Sequence, residues 1–428
     1  MKVYVVGGYV RDKLLGFTPK DTDFVVVDAD PEYMLSKGFK PVGKDFEVFI
    51  HPITGDEYAL ARVERKVGIG YEGFECDWKG VTLEQDLERR DLTINAMAQE
   101  VEVYRDGSFN IIGELIDPFE GLSDLKAGKL RATSEAFKED PLRLLRLGRF
   151  LARYKGFNVE DDTLLICKNI SNRGALRELT KERVWKEIEK VLSEHNPERF
   201  FEFMVKWDNP STTFLKAMKH TVEHNLFHQE SDVFTHSMMV LKEANECHSS
   251  PLVNFGCLMH DFAKPHCYLT YGTGHGHDDK GIELIEEWCR EWKVPNEYRE
   301  FAKLVSKVHQ KVHTVMGRDH NKWSNPKTVM KLFEDTKAET KTKRFLDILE
   351  VCRADARGRI GLSAKDPYPQ KEYLIECLYA VKCVDTKPIS SKLLENGKSG
   401  KVIGTEIRAA RINEIRKVMN EWKEKLNA

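Results

Sequence analysis

The sequence of 428 residues lacks several features that mark membrane, secreted or disordered proteins. It contains no run of about 18 consecutive apolar residues, so we expect no membrane-spanning helix. Its first residues, MKVYVVGGYVRD, have no small-residue cleavage site and suit a buried strand and turn better than a signal peptide. The nine cysteines form no CxxC pair, which indicates reduced thiols and a cytoplasmic protein. With 41% hydrophobic and 32% charged residues, the chain should form about two to four compact domains.

The chain also lacks an excess of positive charge, since its formal net charge is −2 at pH 7. Any nucleic-acid-binding surface must therefore come from local patches. Residues 126–153 carry eight Lys or Arg against three Asp or Glu, and residues 356–428 carry fifteen against nine. Charge alone favours solvated helical faces at both places, and an RNA-binding surface is the alternative.

Strand and helix signals alternate in the first hundred residues and then give way to helix signals alone. The segments VYVVGG, DFVVVD, FEVFIHP and EYALARVE predict four strands, and VRDKLLG predicts the start of a helix. From about residue 130, apolar residues recur at three- and four-residue spacing, and no further strand is predicted. We therefore expect an α/β head followed by an all-α remainder.

Acidic residues suited to divalent cations follow the first predicted helix. Asp21 and Asp23 lead into the strand FVVV, in which residues i and i+2 face the same side. Two carboxylates so close require compensation, which a pair of Mg²⁺ ions supplies, and a solvated acidic turn is the alternative. Glu57 is the candidate for a third carboxylate that positions or deprotonates an attacking hydroxyl, with Glu64 as its competitor.

Two further motifs suit the rest of a nucleotide. A glycine turn ending in Gly8 precedes Arg11, so backbone N–H groups and a guanidinium can both meet a phosphate. In RRDLTIN, one helical turn is predicted to separate Asp91 from Asn95, so that both can bond ribose hydroxyls while Arg90 binds a triphosphate. The alternatives are an ordinary turn, and a helix start with an acid near its positive end.

The segment EDPLRLLRLGRFLAR predicts a long helix with charged residues at its start. Pro141 suits the first helical position and Asp140 suits the cap, which explains Asp140 structurally. An acid beside a planar guanidinium can also match the Watson–Crick edge of a base, so Asp140 with Arg143 is a candidate for base selection. The helix carries a stripe of four arginines on one face: Arg143, Arg146, Arg149 and Arg153.

The motifs GGYVRD…DTD, RRDLTINA, EDPLRLLR and ERVWKE, in this order, resemble those of bacterial class II CCA-adding tRNA nucleotidyltransferases. The resemblance covers essentially the whole chain and is strongest to the gamma-proteobacterial type that carries an HD domain. It implies a polymerase-β-like head, then an all-α neck, body and tail with an inserted all-α HD domain. Residues 67–80 resemble a flexible loop of the family, and the segment VEVYRDGSFNIIGEL is longer than the family pattern and should enlarge a hairpin.

The resemblance also implies roles for individual residues. Asp21 and Asp23 would hold Mg²⁺, and Asp140 with Arg143 would serve as a protein template for the incoming base. The other nucleotide-binding residues that it implies are Gly8, Arg11, Arg90, Asp91, Asn95, Arg146 and Arg149.

Histidines and aspartates later in the chain predict a second metal site. His236, the pair His260-Asp261 and Asp355 follow helical patterns in the order H…HD…D, which suits a helical metal cage and resembles the HD phosphohydrolase superfamily. Residues that merely tie helices together are the alternative. Mixed imidazole and carboxylate ligands favour Ni²⁺ or another transition metal. Four further histidines are candidates for a second metal position, and for each of them a surface or pocket residue is the alternative: His275, His277, His309 and His313.

These expectations combine into a function and a domain order. The chain is predicted to add CCA to tRNA 3′ ends from CTP and ATP with Mg²⁺, as a monomer or homodimer, without membrane contact. The resemblance implies additional phosphatase, 2′-nucleotidase and 2′,3′-cyclic phosphodiesterase activities for the HD domain. The predicted domains are the head at residues 1–130, neck and body at 131–225, HD domain at 226–335, and a helical tail at 336–428 that contributes Asp355.

Two other functions compete with this prediction. A bacterial poly(A) polymerase shares the head motifs, but the HD domain and the stretches shared with the CCA-adding family argue against it. An RNA-binding or signalling module whose head has lost catalysis is the second alternative, and the intact Asp21 and Asp23 argue against that one.

Overall fold

The computed structural model describes residues 1–42, 48–66, 74–222, 232–317, 322–361 and 367–427, without the side chains of residues 64–66, 74–76 and 427. The chain folds into two compact units. The first comprises Met1–Glu187 and Phe203–Pro210, and the second comprises Ile188–Glu202 and Ser211–Ala428. Residues 67–73 of the predicted flexible loop lie outside the described residues.

A seven-stranded mixed sheet organises the first unit. Its strands are β1 Lys2–Val6, β2 Asp23–Val27, β3 Lys40–Val42, β4 Val48–Ile50, β5 Glu57–Leu60, β8 Ala98–Val103 and β9 Phe109–Ile116, while β6 Val63–Lys66 and β7 Phe74–Asp77 form a separate pair. The strand order is β3-β4-β5-β2-β1-β8-β9, with β1 antiparallel to β2 and β2 parallel to β5. The four predicted strands are confirmed as β1, β2, β4 and β5, and the predicted hairpin is confirmed as β8 and β9.

The central strands consist mainly of apolar residues, because other parts of the protein cover both faces of the sheet there. In β2, Phe24 faces one side and stacks on Tyr58 of β5, with ring centroids 4.3 Å apart. Val25 faces the other side and joins a buried cluster with Tyr4 and Leu87. Alternating contacts of this kind fix the register, since a shift by one residue would exchange the two faces. The end of β2 that carries Asp23 is therefore held firmly.

Helices complete the first unit: α1 Gly8–Leu14, α2 Pro31–Ser36, α3 Leu83–Glu88, α4 Gly121–Ala127, α5 Leu142–Arg153 and α6 Asp161–Asn172, followed by α7 Lys181–Val191 and α8 Pro197–Met204, which the division between the units crosses. The helix predicted from EDPLRLLR is confirmed as α5. The prediction that no strand follows residue 130 is wrong, because β10 Lys129–Leu130 pairs in parallel with β11 Asn158–Val159. Two-residue strands leave no periodic pattern in the sequence.

In the part of the second unit that the structure describes, regular structure is helical: α9 Thr213–Lys219, α10 Val233–Glu246, α11 Pro251–Met259, α12 Lys264–Tyr271, α13 His277–Glu291, α14 Asn296–His313, α15 Pro326–Thr336, α16 Thr342–Arg357, α17 Pro369–Lys382, α18 Thr386–Glu395 and α19 Gly400–Asn427. Helices α10, α11, α14 and α16 pack on one another. A Cβ atom added to Gly256 of α11 would lie 2.7 Å from Phe301 and 2.9 Å from Val351, so glycine permits this close approach.

Candidate functional sites

Three acidic residues lie at one end of the first unit's sheet. Asp23 begins β2, and the parallel register places Glu57, the first residue of β5, directly beside it. Side chains of such neighbours stand on the same face of a sheet. Asp21 is two residues upstream and exposed. The structure thus brings together three of the predicted acids, whereas the side chain of the competing Glu64 lies outside the described residues.

The electrostatic environment of Asp23 fits a divalent cation. Loss of water around its carboxyl raises the pKa of Asp23, and the negative charge of Asp21 raises it further. The guanidinium groups of Arg90, Arg146 and Arg11 oppose this rise without cancelling it. Carboxylates that repel one another in this way are hard oxygen ligands of the kind that Mg²⁺ takes.

The glycine turn lies against one of these arginines. Gly7 has a φ of +63°, and a Cβ atom there would approach Nη1 of Arg90 to 2.9 Å. Arg90 also contacts Asp86 at 3.2 Å, while its buried Nε makes no hydrogen bond with the described residues. The glycine turn therefore lies against the guanidinium of Arg90, and the charge of this guanidinium also acts on the carboxylate of Asp23.

Arg11 is committed to the protein itself, which the sequence did not predict. Its guanidinium is buried, contacts Asp12 at 2.8 Å and donates a hydrogen bond to Asn95. Asp12 is in turn bound by Arg153 at 2.9 Å and by the hydroxyl of Tyr154 at 3.1 Å. This network joins α1 to the end of α5, and its partners are too far apart in sequence for a local pattern to reveal it.

Asp91 and Asn95 meet, but not through one turn of an α-helix. The helix α3 ends at Glu88, and Asn95 closes a short 3₁₀ helix, so the predicted α-helical spacing is wrong. Nδ2 of Asn95 donates to Oδ1 of Asp91 at 2.8 Å, and Nε of Arg146 donates to Oδ2 at 2.8 Å. Burial opposes ionisation of Asp91, yet Arg146 and Asn95 hold its pKa well below the usual range.

The arginine stripe of α5 is paired with the protein rather than solvated. Arg143 donates to the backbone carbonyls of Ala136 and Arg89, and the other three stripe arginines contact Asp91, Glu187 and Asp12. Asp140 precedes α5 by two residues, and its Oδ1 accepts from the N–H of Leu142, the first residue of the helix, at 3.0 Å.

Oδ2 of Asp140 contacts Nη2 of Arg183 at 2.8 Å. Arg183 and Glu187 are four residues apart on α7, so one helical face binds both Asp140 and Arg149. Asp140 and Arg143, the two residues predicted to select the base, therefore each contact other groups of the protein in this structure.

In the second unit, six predicted residues form two adjacent groups of potential metal ligands. Within each group the ligand atoms lie within 4.8 Å of one another, and all six residues are buried. Asp261 lies between the groups, with Oδ2 3.0 Å from Nε2 of His260 and Oδ1 3.2 Å from Nε2 of His277. The groups are His236, His260 and Asp355, and then Asp261, His277 and His309.

Hydrogen bonds fix which ring nitrogens are available to a metal. Nδ1 of His260, His277 and His309 each lies within 2.9 Å of a backbone carbonyl and donates its proton there. The Nε2 atoms of His277 and His309 lie 3.1 Å apart, so either a proton on one ring or a metal ion bound by both accounts for their close approach. Oδ1 of Asp261 is buried without a hydrogen bond of acceptable geometry from the described residues.

The protonation states of this cluster are set by burial and by the neighbouring charges. Burial and the neighbouring imidazoles lower the pKa of His309 to about 3, so its ring is neutral. Burial opposes protonation of His260, but Asp261 and Asp355 raise its pKa to about 9. Lys264, which no pattern in the sequence singled out, lies 2.9 Å from Asp261. A metal would therefore displace a proton from the cluster on binding.

The two remaining histidines differ in their placement. His275 is exposed and belongs to neither group. His313 contacts Oδ2 of Asp355 at 2.7 Å and the hydroxyl of Tyr368 at 2.8 Å. No helix in the part of the chain that the structure describes is both long and apolar enough to span a bilayer.

Comparison with known proteins gives matches along nearly the whole chain. Family models match as the poly A polymerase head domain at residues 3–131, the probable RNA and SrmB-binding site of polymerase A at 156–208, and the HD domain at 233–355. A relative described as "Multifunctional CCA protein", from Tolumonas auensis, is 42% identical over 99% of this chain and 100% of its own length.

Solved structures give the same fold at lower identity. The Thermotoga maritima CCA-adding enzyme complexed with tRNA aligns with a TM-score of 0.62 at 22% identity, covering 99% of this chain and 91% of that one. A CCA-adding enzyme in complex with CTP aligns with a TM-score of 0.60 at 23% identity, covering 100% and 92%. The predicted fold class, a polymerase-β-like α/β head followed by helical regions that include an HD domain, is confirmed.

Proposed function

We propose that this chain, which belongs to the multifunctional CCA protein family, adds CCA to the 3′ ends of tRNA from CTP and ATP. The observation that carries the proposal is the acidic group of Asp21, Asp23 and Glu57 where β2 and β5 begin, next to Arg90 and the glycine turn. Relatives that share the whole chain are named for this activity, and structural neighbours were solved with tRNA and with CTP.

The acids would hold Mg²⁺, which when bound activates the tRNA hydroxyl and stabilises the leaving pyrophosphate. Glu57, beside Asp23, orients the attacking 3′-hydroxyl and accepts its proton. The backbone N–H groups of the glycine turn at Gly8 and the guanidinium of Arg90 bind the triphosphate. Arg11 supports the nucleotide site indirectly, because its buried guanidinium donates a hydrogen bond to Asn95 and holds that side chain in place.

Base selection falls to the start of α5. Asp140 and Arg143 offer an acceptor and a planar donor, which together complement the Watson–Crick edge of a cytosine or adenine. In the structure Arg183 binds Asp140, and two carbonyls accept from Arg143. An incoming base must therefore exchange with these partners, and the protein contacts keep both side chains ordered until it arrives.

The test is incubation of tRNA lacking CCA with labelled CTP and ATP in the presence of Mg²⁺. Asp23→Ala should abolish addition of both nucleotides while the protein melts as the wild type does. Asp162→Ala, which removes an exposed acid on α6, is the matched control and should retain activity. Substantial transfer by Asp23→Ala would defeat the assignment of the acids, and incorporation of ATP without CTP would favour a poly(A) polymerase.

The second unit is proposed to be a metal-dependent phosphohydrolase that acts on 2′,3′-cyclic phosphates, 2′-nucleotides or phosphomonoesters. The two ligand groups would hold Ni²⁺ or another transition metal, which when bound polarises a phosphate ester and activates water. Asp261 presents one oxygen to each group and so orients both. Lys264 balances the charge of this carboxylate.

We propose the domain boundaries on the same grounds: head 1–130, neck and body 131–225, HD domain 226–335 and tail 336–428, with Asp355 of α16 completing the HD site. Asp261→Ala should remove hydrolysis of a 2′,3′-cyclic phosphate and spare CCA addition, since the acidic group lies in the other compact unit. Parallel loss of both activities and of stability would show that His260 and Asp261 only tie helices together. A wild type without hydrolysis across a metal screen would refute the activity itself.

A further inference from the structure

A chain of hydrogen bonds runs from the helical tail to the proposed metal site. Oδ1 of Asp355 lies 3.1 Å from Nε2 of His236 and 3.9 Å from Nε2 of His260. This oxygen therefore faces the other two residues of the first ligand group. Oδ2 lies 2.7 Å from Nε2 of His313, the last residue of α14. Nδ1 of His313 lies 2.8 Å from the hydroxyl of Tyr368.

The direction of these hydrogen bonds follows from the groups that make them. An ionised carboxylate only accepts, so Nε2 of His313 donates to Asp355. Nδ1, on the other side of the ring, lies 2.8 Å from the hydroxyl of Tyr368, so the imidazole bridges the carboxylate and the tyrosine. Burial raises the pKa of Tyr368 well above its usual value, so the hydroxyl keeps its proton. The three groups therefore form one continuous hydrogen-bonded chain from Tyr368 to Asp355.

We propose that Tyr368 is a positioning residue of the metal site, which acts through His313 to set the orientation of the Asp355 carboxylate. The terminal torsion of aspartate has a broad energy profile, so its carboxylate rotates unless a partner holds it. Holding Oδ2 on His313 directs Oδ1 towards His236 and His260. Arg359, one turn further along the chain from Asp355, approaches Oδ1 at 3.5 Å and leaves Oδ2 to His313.

This role extends the site beyond the residues that a sequence match assigns to it. The HD family model ends at residue 355, whereas Tyr368 immediately precedes α17. Tyr368 is nevertheless buried, and its ring meets the ring of His313 edge-on at 5.8 Å. A hydrogen-bond partner behind a ligand commonly changes metal affinity by roughly 10–100-fold when it is removed. The inference rests on the metal site proposed above.

The test measures metal binding rather than turnover. Tyr368→Phe removes the hydroxyl and keeps the ring. It is made in the full chain carrying Asp21→Ala and Asp23→Ala, so that added Co²⁺ reports the second unit. We expect Co²⁺ affinity to fall roughly tenfold, the low end of the range for a group that bonds a ligand directly, because the effect passes through His313. The visible absorption of bound Co²⁺ should change, while the metal-free protein still melts cooperatively. Tyr379→Phe, at an exposed tyrosine of α17, should bind Co²⁺ as the parent does.

The other outcomes separate the positioning role from the metal site itself. Unchanged Co²⁺ affinity and absorption in Tyr368→Phe would overturn the positioning role alone. Failure of the parent to bind Co²⁺ would overturn the metal site together with this inference. A second variant, His313→Gln, keeps an N–H group for Asp355 and should retain more affinity than His313→Ala. Equal loss in these two, with normal binding by Tyr368→Phe, would make His313 a ligand and refute the relay.

Discussion

Arg146→Ala should lower the free energy of unfolding of the head, because the substitution leaves the Asp91 carboxylate buried without its charged partner. Asp91 is 6% exposed, and Arg146 contacts its Oδ2 at 2.7 Å. Removing one partner of a buried ion pair costs roughly 3–5 kcal/mol. The Arg146 side chain is 36% exposed, so water reaches part of the vacated space. We therefore expect the free energy of unfolding to fall by about 2–3 kcal/mol.

The pH dependence gives this prediction its sign. Arg146 and Asn95 hold the pKa of Asp91 far below its ordinary value, so the ionised carboxylate stabilises the fold above about pH 4. That stabilisation disappears as the pH falls through the pKa of the folded state. In Arg146→Ala most of it is already absent, so the difference in stability from the wild type should shrink below about pH 4.

Urea unfolding followed by circular dichroism at about pH 7 and about pH 3.5 measures the difference. Arg177→Ala is the matched control, since Arg177 and Asp208 form a similarly short pair of 2.9 Å whose side chains are 67% and 54% exposed. It should change stability by less than about 0.5 kcal/mol. If Arg146→Ala unfolds at the wild-type urea concentration and only nucleotide affinity falls, then Arg146 serves the nucleotide alone and the reasoning is wrong.

Three further predictions concern other residues. Arg143→Ala should lower discrimination of CTP and ATP against GTP and UTP by roughly 1–3 kcal/mol, by analogy with bidentate readout of DNA bases, and a loss of tRNA affinity alone would contradict the template role. Burial raises the pKa of Glu198 to about 7 from an ordinary 4.5, so the folded state binds more protons than the unfolded state. The free energy of unfolding of the wild type should therefore decrease as the pH rises from 4.5 to about 7. Glu198→Gln should lack that decline in urea unfolding, and an identical slope would refute it. Gly256→Ala should destabilise the helical unit by about 1–3 kcal/mol, because its Cβ would overlap Phe301, and an unchanged melt would show that the helices separate freely.

The sequence was sufficient where a local pattern fixes the structure. Strands β1 and β2 are short apolar runs, and the residues before β2 place Asp21 and Asp23 at its start. The same holds for α5, whose cap and periodicity are visible in the sequence. The residue type of Glu57 makes it a candidate in the sequence, and the parallel pairing of β2 with β5 places it beside Asp23.

The sequence was insufficient where a side chain chooses between distant partners. Nothing in the spacing of Asp140 indicates that Arg183, 43 residues away, would bind it in preference to Arg143. The RRDLTIN segment predicts an α-helical turn, yet Thr93–Asn95 form a short 3₁₀ helix. Asp91 accepts from the backbone N–H of Leu92 and from the distant Arg146. Such choices depend on which donors tertiary packing brings near, and local periodicity does not record them.

The histidine cluster shows how these two kinds of information combine. His236, His260 and Asp355 were selected from their order along the chain, but three different helices bring them together: α10, the end of α11 and α16. The second group depends on Asp261, whose two oxygens face opposite ways between the rings of His260 and His277. Because Nδ1 of His260, His277 and His309 is held by a carbonyl of the same helix or turn, the orientation of these rings is set locally, while the meeting of their Nε2 atoms is set by packing. A substitution that loosens the packing, such as one at Gly256, should therefore weaken metal binding even though it touches no ligand.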